Sequence, residues 1–159
     1  QKTGVGLTIL REYVLGEERF DYAFRSYIRQ WAFKSPQPAD FFRSMENAAG
    51  MDLAWFWRGW FLEDAMLDQA VESVKQPARR GGGSIRFRNK ERMVMPLTYR
   101  VTFEDDTTEV VKVPVEAWFQ SDVITRRVEG TKKIKEVRID PDGMLPDIDR
   151  DDNLWSNDQ

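Results

Sequence analysis

The sequence contains no histidine and no cysteine. Without cysteine there are no disulfides and no thiolate metal sites, although this leaves the compartment open. Without histidine neither a His-Glu-x-x-His zinc pair nor a histidine-based nucleophilic triad can be assembled. Long apolar runs are also missing, and no stretch approaches the roughly 20 residues that span a bilayer. The start, Gln1-Lys2-Thr3-Gly4, has no basic segment leading into an apolar one, so it does not read as a signal peptide. It also lacks an initiating Met, which reads as a fragment or processed product of a longer chain. A net charge of -3 argues against nucleic acid as the main partner.

What is present describes a folded chain. Hydrophobic residues at 41% and charged residues at 32% of 159 suit one ordinary domain or two small ones. The richest stretch runs from Pro38 to Phe61 and holds three tryptophans and four phenylalanines. Rings at that density are stable only when buried against a substantial body.

The first part reads as helices. Leu7, Leu10 and Val14, with Ile9 beside them, mark one face of a first helix, which Gly16 stops. Phe20, Ala23, Phe24, Tyr27, Ile28 and Trp31 recur at helical spacing in a second, where Glu17 and Glu18 suit the positive end of the dipole. Ser35-Pro36-Gln37-Pro38 breaks that helix and places Pro38 in the first turn of a third. Gly50 ends the third, and Asp52 is a side-chain cap for a fourth.

After about Asp68 the period changes to two. Ala70 to Lys75 and Ile85 with Phe87 read as extended, around a flexible loop over Arg79-Arg80-Gly81-Gly82-Gly83-Ser84. A long strand is expected from Met93 to Phe103, then a turn at Asp105-Asp106 and a return through Val111, Val113, Val115, Ala117 and Phe119. Val123 to Val128 and Ile134 to Ile139 add two more. The fold class is therefore α+β, an N-terminal helical subdomain followed by a small antiparallel β-sandwich of five or six strands. The boundaries read as 1–67, 68–155 and a disordered tail over 156–159.

Four constellations invite chemistry. Trp55, Phe56, Trp57, Trp60 and Phe61 cover most sides of a short helix, which reads as core with room for one ring at a cleft wall. Asp140-Pro141-Asp142-Gly143 and the acids from Asp147 to Asp152 resemble a calcium loop, but Asp152 stands where the EF-hand needs glycine and Asp158 where it needs glutamate. They read better as a solvated turn and extension. Arg86, Arg88 and Lys90 alternate as the outer face of a half-buried strand does. Glu17/Glu18 and Asp105/Asp106 lie where caps and turns place acids anyway. No catalytic, cofactor-binding or metal residue is assigned in this chain.

The order Lys2-x-Gly4, Leu15-Gly16-x-Glu18-x-Phe20, Tyr27, Pro36-x-Pro38-x-Asp40-Phe41, Met45-Glu46, Gly50-x-Asp52-Leu53 and the pairs Trp55-Phe56 and Trp60-Phe61 resembles the zinc metallopeptidases of the aminopeptidase N (gluzincin) family. The matched segment is the one that follows their zinc-binding helices. Asn89, Met95-Pro96-Leu97, Pro114-Val115-x-x-Trp118, Val137-x-Ile139-Asp140-Pro141 and Asp147-x-Asp149 look like that family's β-sandwich domain.

The resemblance implies that residues 1–67 are the helical back half of a thermolysin-like catalytic domain, supporting its cleft. It implies zinc in the parent protein, held by two histidines and a glutamate, with a glutamate general base and an oxyanion-stabilising tyrosine. The tyrosine would fall at or just before Gln1, so no catalytic residue carries over; Tyr13, Tyr22 and Tyr27 do not match its motif. No zinc is expected in this fragment, and alone it should be inactive. The implied partners are a peptide substrate, by way of the parent, and the missing N-terminal part of the catalytic domain. The rival reading is a non-enzymatic protein-binding module or scaffold on the same fold. Apolar surface uncovered in either case can also bring two copies together as a dimer.

Overall fold

In the computed structural model, which describes residues 2–158, the chain divides between Asp64 and Ala65 into a helical unit and a β unit. The division falls three residues ahead of the 67/68 boundary read from the sequence.

The helical unit opens with α1 (Lys2–Ile9), which widens into a π-helical turn over Leu10–Leu15. Gly16, at φ 83°, separates that turn from α2 (Glu17–Trp31) in a conformation that side chains disfavour. The first helix buries Gly6, Ile9 and Leu10, whereas Leu7 and Val14 are only half-buried. The widened turn changes which side chains share a face, and a 3.6-residue template does not anticipate that. Helix α3 (Pro38–Ala49) begins with Pro38 in its first turn and stops at Gly50 in the left-handed region. Helix α4 (Ala54–Trp57) runs on as a second π-helical turn, Arg58–Leu62. The N-cap of α4 is Leu53, which makes no side-chain cap; Asp52, expected to cap this helix, lies one residue earlier, where its carboxylate accepts the Ala54 N–H at 2.9 Å.

The β unit is two antiparallel sheets. One has the order β1-β2-β5, with β1 at Gln69–Lys75, β2 at Gly83–Asn89 and β5 at Val123–Val128. The other has the order β4-β3-β6-β7, from Thr108–Val113, Leu97–Phe103, Ile134–Ile139 and Leu154–Ser156. Alternate residues of both sheets meet in one core around Ile85, Phe87, Tyr99, Val101, Ile124 and Val137.

Three expectations about the strands are corrected. Strand β3 starts at Leu97, not Met93. Met93 and Met95 are buried, but their carbonyls accept the side-chain amides of Asn89 (3.0 Å) and Gln69 (3.1 Å) in place of a neighbouring strand. Strand β4 ends at Val113 because Pro114 follows, and the chain coils into a 3₁₀ turn at Val115–Trp118. That turn buries Val115 and Trp118 and leaves Phe119 exposed. Order also continues past residue 155. Ser156 belongs to β7 and the Asn157 N–H bonds to the Lys135 carbonyl at 3.0 Å, where a disordered tail was expected. The glycine-rich loop is tighter than its composition implies, since Ala78 and Gly81 exchange backbone hydrogen bonds and β2 already includes Gly83.

Candidate functional site

The aromatic segment forms the body of the helical unit. Phe42 stacks on Trp57 at 4.6 Å, Phe56 on Trp60 at 5.7 Å, and Tyr27 of α2 meets Phe41 of α3 edge-on at 5.0 Å. Phe56, Trp57 and Trp60 are buried, so the core reading of this segment holds. One ring keeps an unspent donor: the Trp60 indole N–H is buried and finds no partner among the described residues. The apolar face of α2 is only partly covered. Phe20 and Ala23 are buried, but Phe24 is 37% exposed, Ile28 50% and the neighbouring Phe33 fully exposed.

Between α2 and α3 lies an open groove of about 330 Å³, lined by Tyr22, Ser26, Gln30, Arg43, Ser44 and Asn47 among others. Its serines are occupied structurally. Ser26 donates to the Tyr22 carbonyl at 2.9 Å, and Ser44 accepts the Trp31 indole N–H at 3.2 Å. Neither is hydrogen-bonded to a base among the described residues, so the groove offers hydrogen bonds but no activated nucleophile. Asp40, at its edge, instead closes the start of α3 by accepting the Gln37 N–H at 2.9 Å.

Three of the four paired acids, Glu17, Asp105 and Asp106, are in ion pairs. Glu17 contacts Arg11 at 3.3 Å, and Arg11 grips Asp21 through two nitrogens at 2.9 and 3.1 Å. That hydrogen bond holds the Asp21 carboxyl below its ordinary value. Asp105 pairs with Lys132 at 2.8 Å and Asp106 with Lys135 at 2.9 Å. The Lys132 contact and the Thr107 hydroxyl and N–H push the Asp105 carboxyl down to about 2.

The basic strip is a solvated face, as its spacing predicted. Arg86 and Arg88 both donate to the carboxylate of Glu72, which stands at a bulge in β1. Lys90 turns the other way and pairs with Asp152.

The acidic tail is built into the β unit. The Asp140 carboxylate accepts the Met144 and Leu145 N–H groups at 3.0 and 2.8 Å, closing a turn. Asp147 accepts the Gln69 N–H at 2.8 Å and the Asn153 amide at 3.1 Å, while Asn153 also donates to the Gln69 carbonyl. Asp68 lies beside this junction, 7% exposed, with one carboxylate oxygen unpartnered. Burial first, then the charge of Asp152, raises its carboxyl above the ordinary range. Sequence reading missed Asp68 and Gln69 because nothing in their spacing distinguishes them from the start of any strand.

A catalytic zinc does not fit this chain's donors. Histidine is absent, and among the described residues no three acids come together as a metal site. No helix among the described residues is long and apolar enough to cross a membrane.

No family model matches the chain, and no curated protein does. Among solved structures it is similar to Legionella pneumophila aminopeptidase A, determined in complex with aspartic acid. The TM-score is 0.55 at 16% identity, over 80% of this chain and 14% of that one. At that identity the likeness is one of fold. The chain spans about a seventh of the length of the aminopeptidase it matches.

Proposed function

We propose that this chain is the C-terminal portion of a zinc-dependent, aminopeptidase-like metallopeptidase. In this reading the helical unit supports the catalytic cleft from behind and the β unit is the accessory sandwich that follows it. The observation carrying the reading is the extent of the structural likeness. It covers 80% of this chain and 14% of an aminopeptidase's. The motif order from Leu15-Gly16 to Trp60-Phe61 supports the same assignment. Because the donors here do not fit zinc, no chemical step is assigned to these residues. Their part is mechanical, a densely packed aromatic body that fixes the position of what lies against it.

The peptide substrate and the metal then belong to the parent protein, and the upstream part of the catalytic domain is the principal partner. The test is to join this chain to the polypeptide encoded immediately before it and assay hydrolysis of aminoacyl amides. Turnover that a chelator abolishes, absent from the chain alone, supports the proposal; turnover by the chain alone overturns it.

The exposure of large apolar side chains, among them Ile28, Phe33 and Leu62, favours a second reading, a non-enzymatic binding module or scaffold that docks, or self-associates, through apolar surface. Indifference of the joined protein to every peptide tested would move the balance to it.

A further inference from the structure

A different part of the molecule carries an inference of its own, independent of the peptidase reading. Four acids gather where β1 meets the C-terminal turn: Asp68, Asp147, Asp149 and Asp152. Among the described residues the cation paired with them is Lys90, whose ammonium pairs with Asp152 and whose N–H bonds to the Asp68 carbonyl at 2.8 Å. Arg150, though adjacent in sequence, donates to the Leu145 carbonyl.

The four acids are not equivalent. Asp147 and Asp149 spend their oxygens on backbone and amide donors: Gln69 N–H at 2.8 Å, Asn153 at 3.1 Å, Asp149 N–H at 3.0 Å and Asp151 N–H at 3.2 Å. Asp68 and Asp152 each bury one carboxylate oxygen that finds no donor among the described residues. The junction therefore holds bare acceptors and too few donors, in a place where an unpaired polar atom costs about 1–3 kcal/mol.

A metal does not answer this need, since among the described residues no three of these acids are grouped closely enough to hold one. A proton does, because it removes one charge and converts an acceptor oxygen into a donor. We propose that Asp68 and Asp152 form a proton-binding clasp, in which one proton on the pair closes the junction between β1 and the C-terminal turn and its loss loosens it.

The electrostatics agree in direction. Burial raises both carboxyls, the charges of Asp147 and Asp149 raise both further, and Lys90 opposes them. The folded junction thus binds more protons than the unfolded chain. Its contribution is full below the ordinary aspartate value of 3.8 and is lost as the pH rises through the elevated folded value.

The experiment is carboxyl-carbon NMR on the full chain with isotope-labelled aspartate, titrated through the acid range. One carboxyl of the pair titrating above 3.8 supports the clasp, and both titrating at or below that value overturns it. Urea midpoints supply the second readout. With Asp68→Asn, the variant's midpoint should gain on the native one as pH rises from about 4 to about 7. A difference between the two midpoints that does not change with pH would mean that Asp68 has only a structural role, and would overturn the clasp. Should the variant not fold, the titration of the native chain decides alone.

Discussion

Glu46 and Trp57 are joined by a hydrogen bond of 2.9 Å from the indole N–H to Oε1, and the same oxygen accepts the Leu53 N–H at 3.3 Å. One acid on α3 thus anchors both the backbone leading into α4 and the ring that stacks on Phe42. Glu46→Ala should destabilise the helical unit by about 1–3 kcal/mol, because it strands a mostly buried indole donor and a backbone N–H. Glu46→Gln keeps an oxygen acceptor and should recover most of the loss. Urea unfolding followed by tryptophan fluorescence measures both, and an unchanged midpoint in the alanine variant would show the contact to be incidental.

Gln76 does the work of a strand. Its amide donates to the Ile134 carbonyl and accepts the Ile134 N–H, both at 2.8 Å, across 58 residues of sequence. Gln76→Ala should cost about 1–3 kcal/mol by leaving both groups of Ile134 unpaired. Amide exchange at Ile134 should accelerate more than exchange at Val137, which pairs within the sheet.

Phe87 and Tyr99 face each other across the sandwich with centroids 4.6 Å apart, and neither is more than 2% exposed. Phe87→Ala should destabilise the β unit by about 3–5 kcal/mol through lost burial and the cavity left behind. Phe87→Leu, which keeps most of the volume, should cost much less. Thermal unfolding of the two variants should rank them in that order.

Asp105 gives an acid-dependent effect of the usual sign. Its folded carboxyl lies at about 2, below the ordinary 3.8, so the folded state holds fewer protons than the unfolded one. The stabilisation by Lys132 and Thr107 is therefore complete above the ordinary value and is lost as the pH falls towards 2. Asp105→Asn should lower the unfolding midpoint near neutrality, and the gap from the native chain should close in strong acid. A gap that stays constant with pH would assign the effect to the turn's geometry and not to its charge.

The fold was legible where a side chain's own chemistry sets the backbone. Gly16, Pro38 and Gly50 marked the helix ends correctly, and the strands at 123–128 and 134–139 ended where their alternation ended. It was not legible where a distant partner decides. Met93 to Met95 alternates like a strand but is held by the amides of Asn89 and Gln69, and no local pattern reveals those donors. Val115 to Phe119 keeps the apolar period that Pro114 makes unusable. The clasp was hidden for a similar reason, since Asp68, Lys90 and Asp152 are brought together only by the folded β unit.

The proposed function puts the catalytic metal on another part of the same protein, and counting metal atoms tests this directly. Zinc per molecule should be measured by atomic spectroscopy after dialysis, for this chain alone and for the chain joined to its encoded upstream polypeptide. The account predicts one tightly held zinc in the joined protein and none in the chain alone. A stoichiometric zinc in the chain alone, or none in the joined protein, would contradict it.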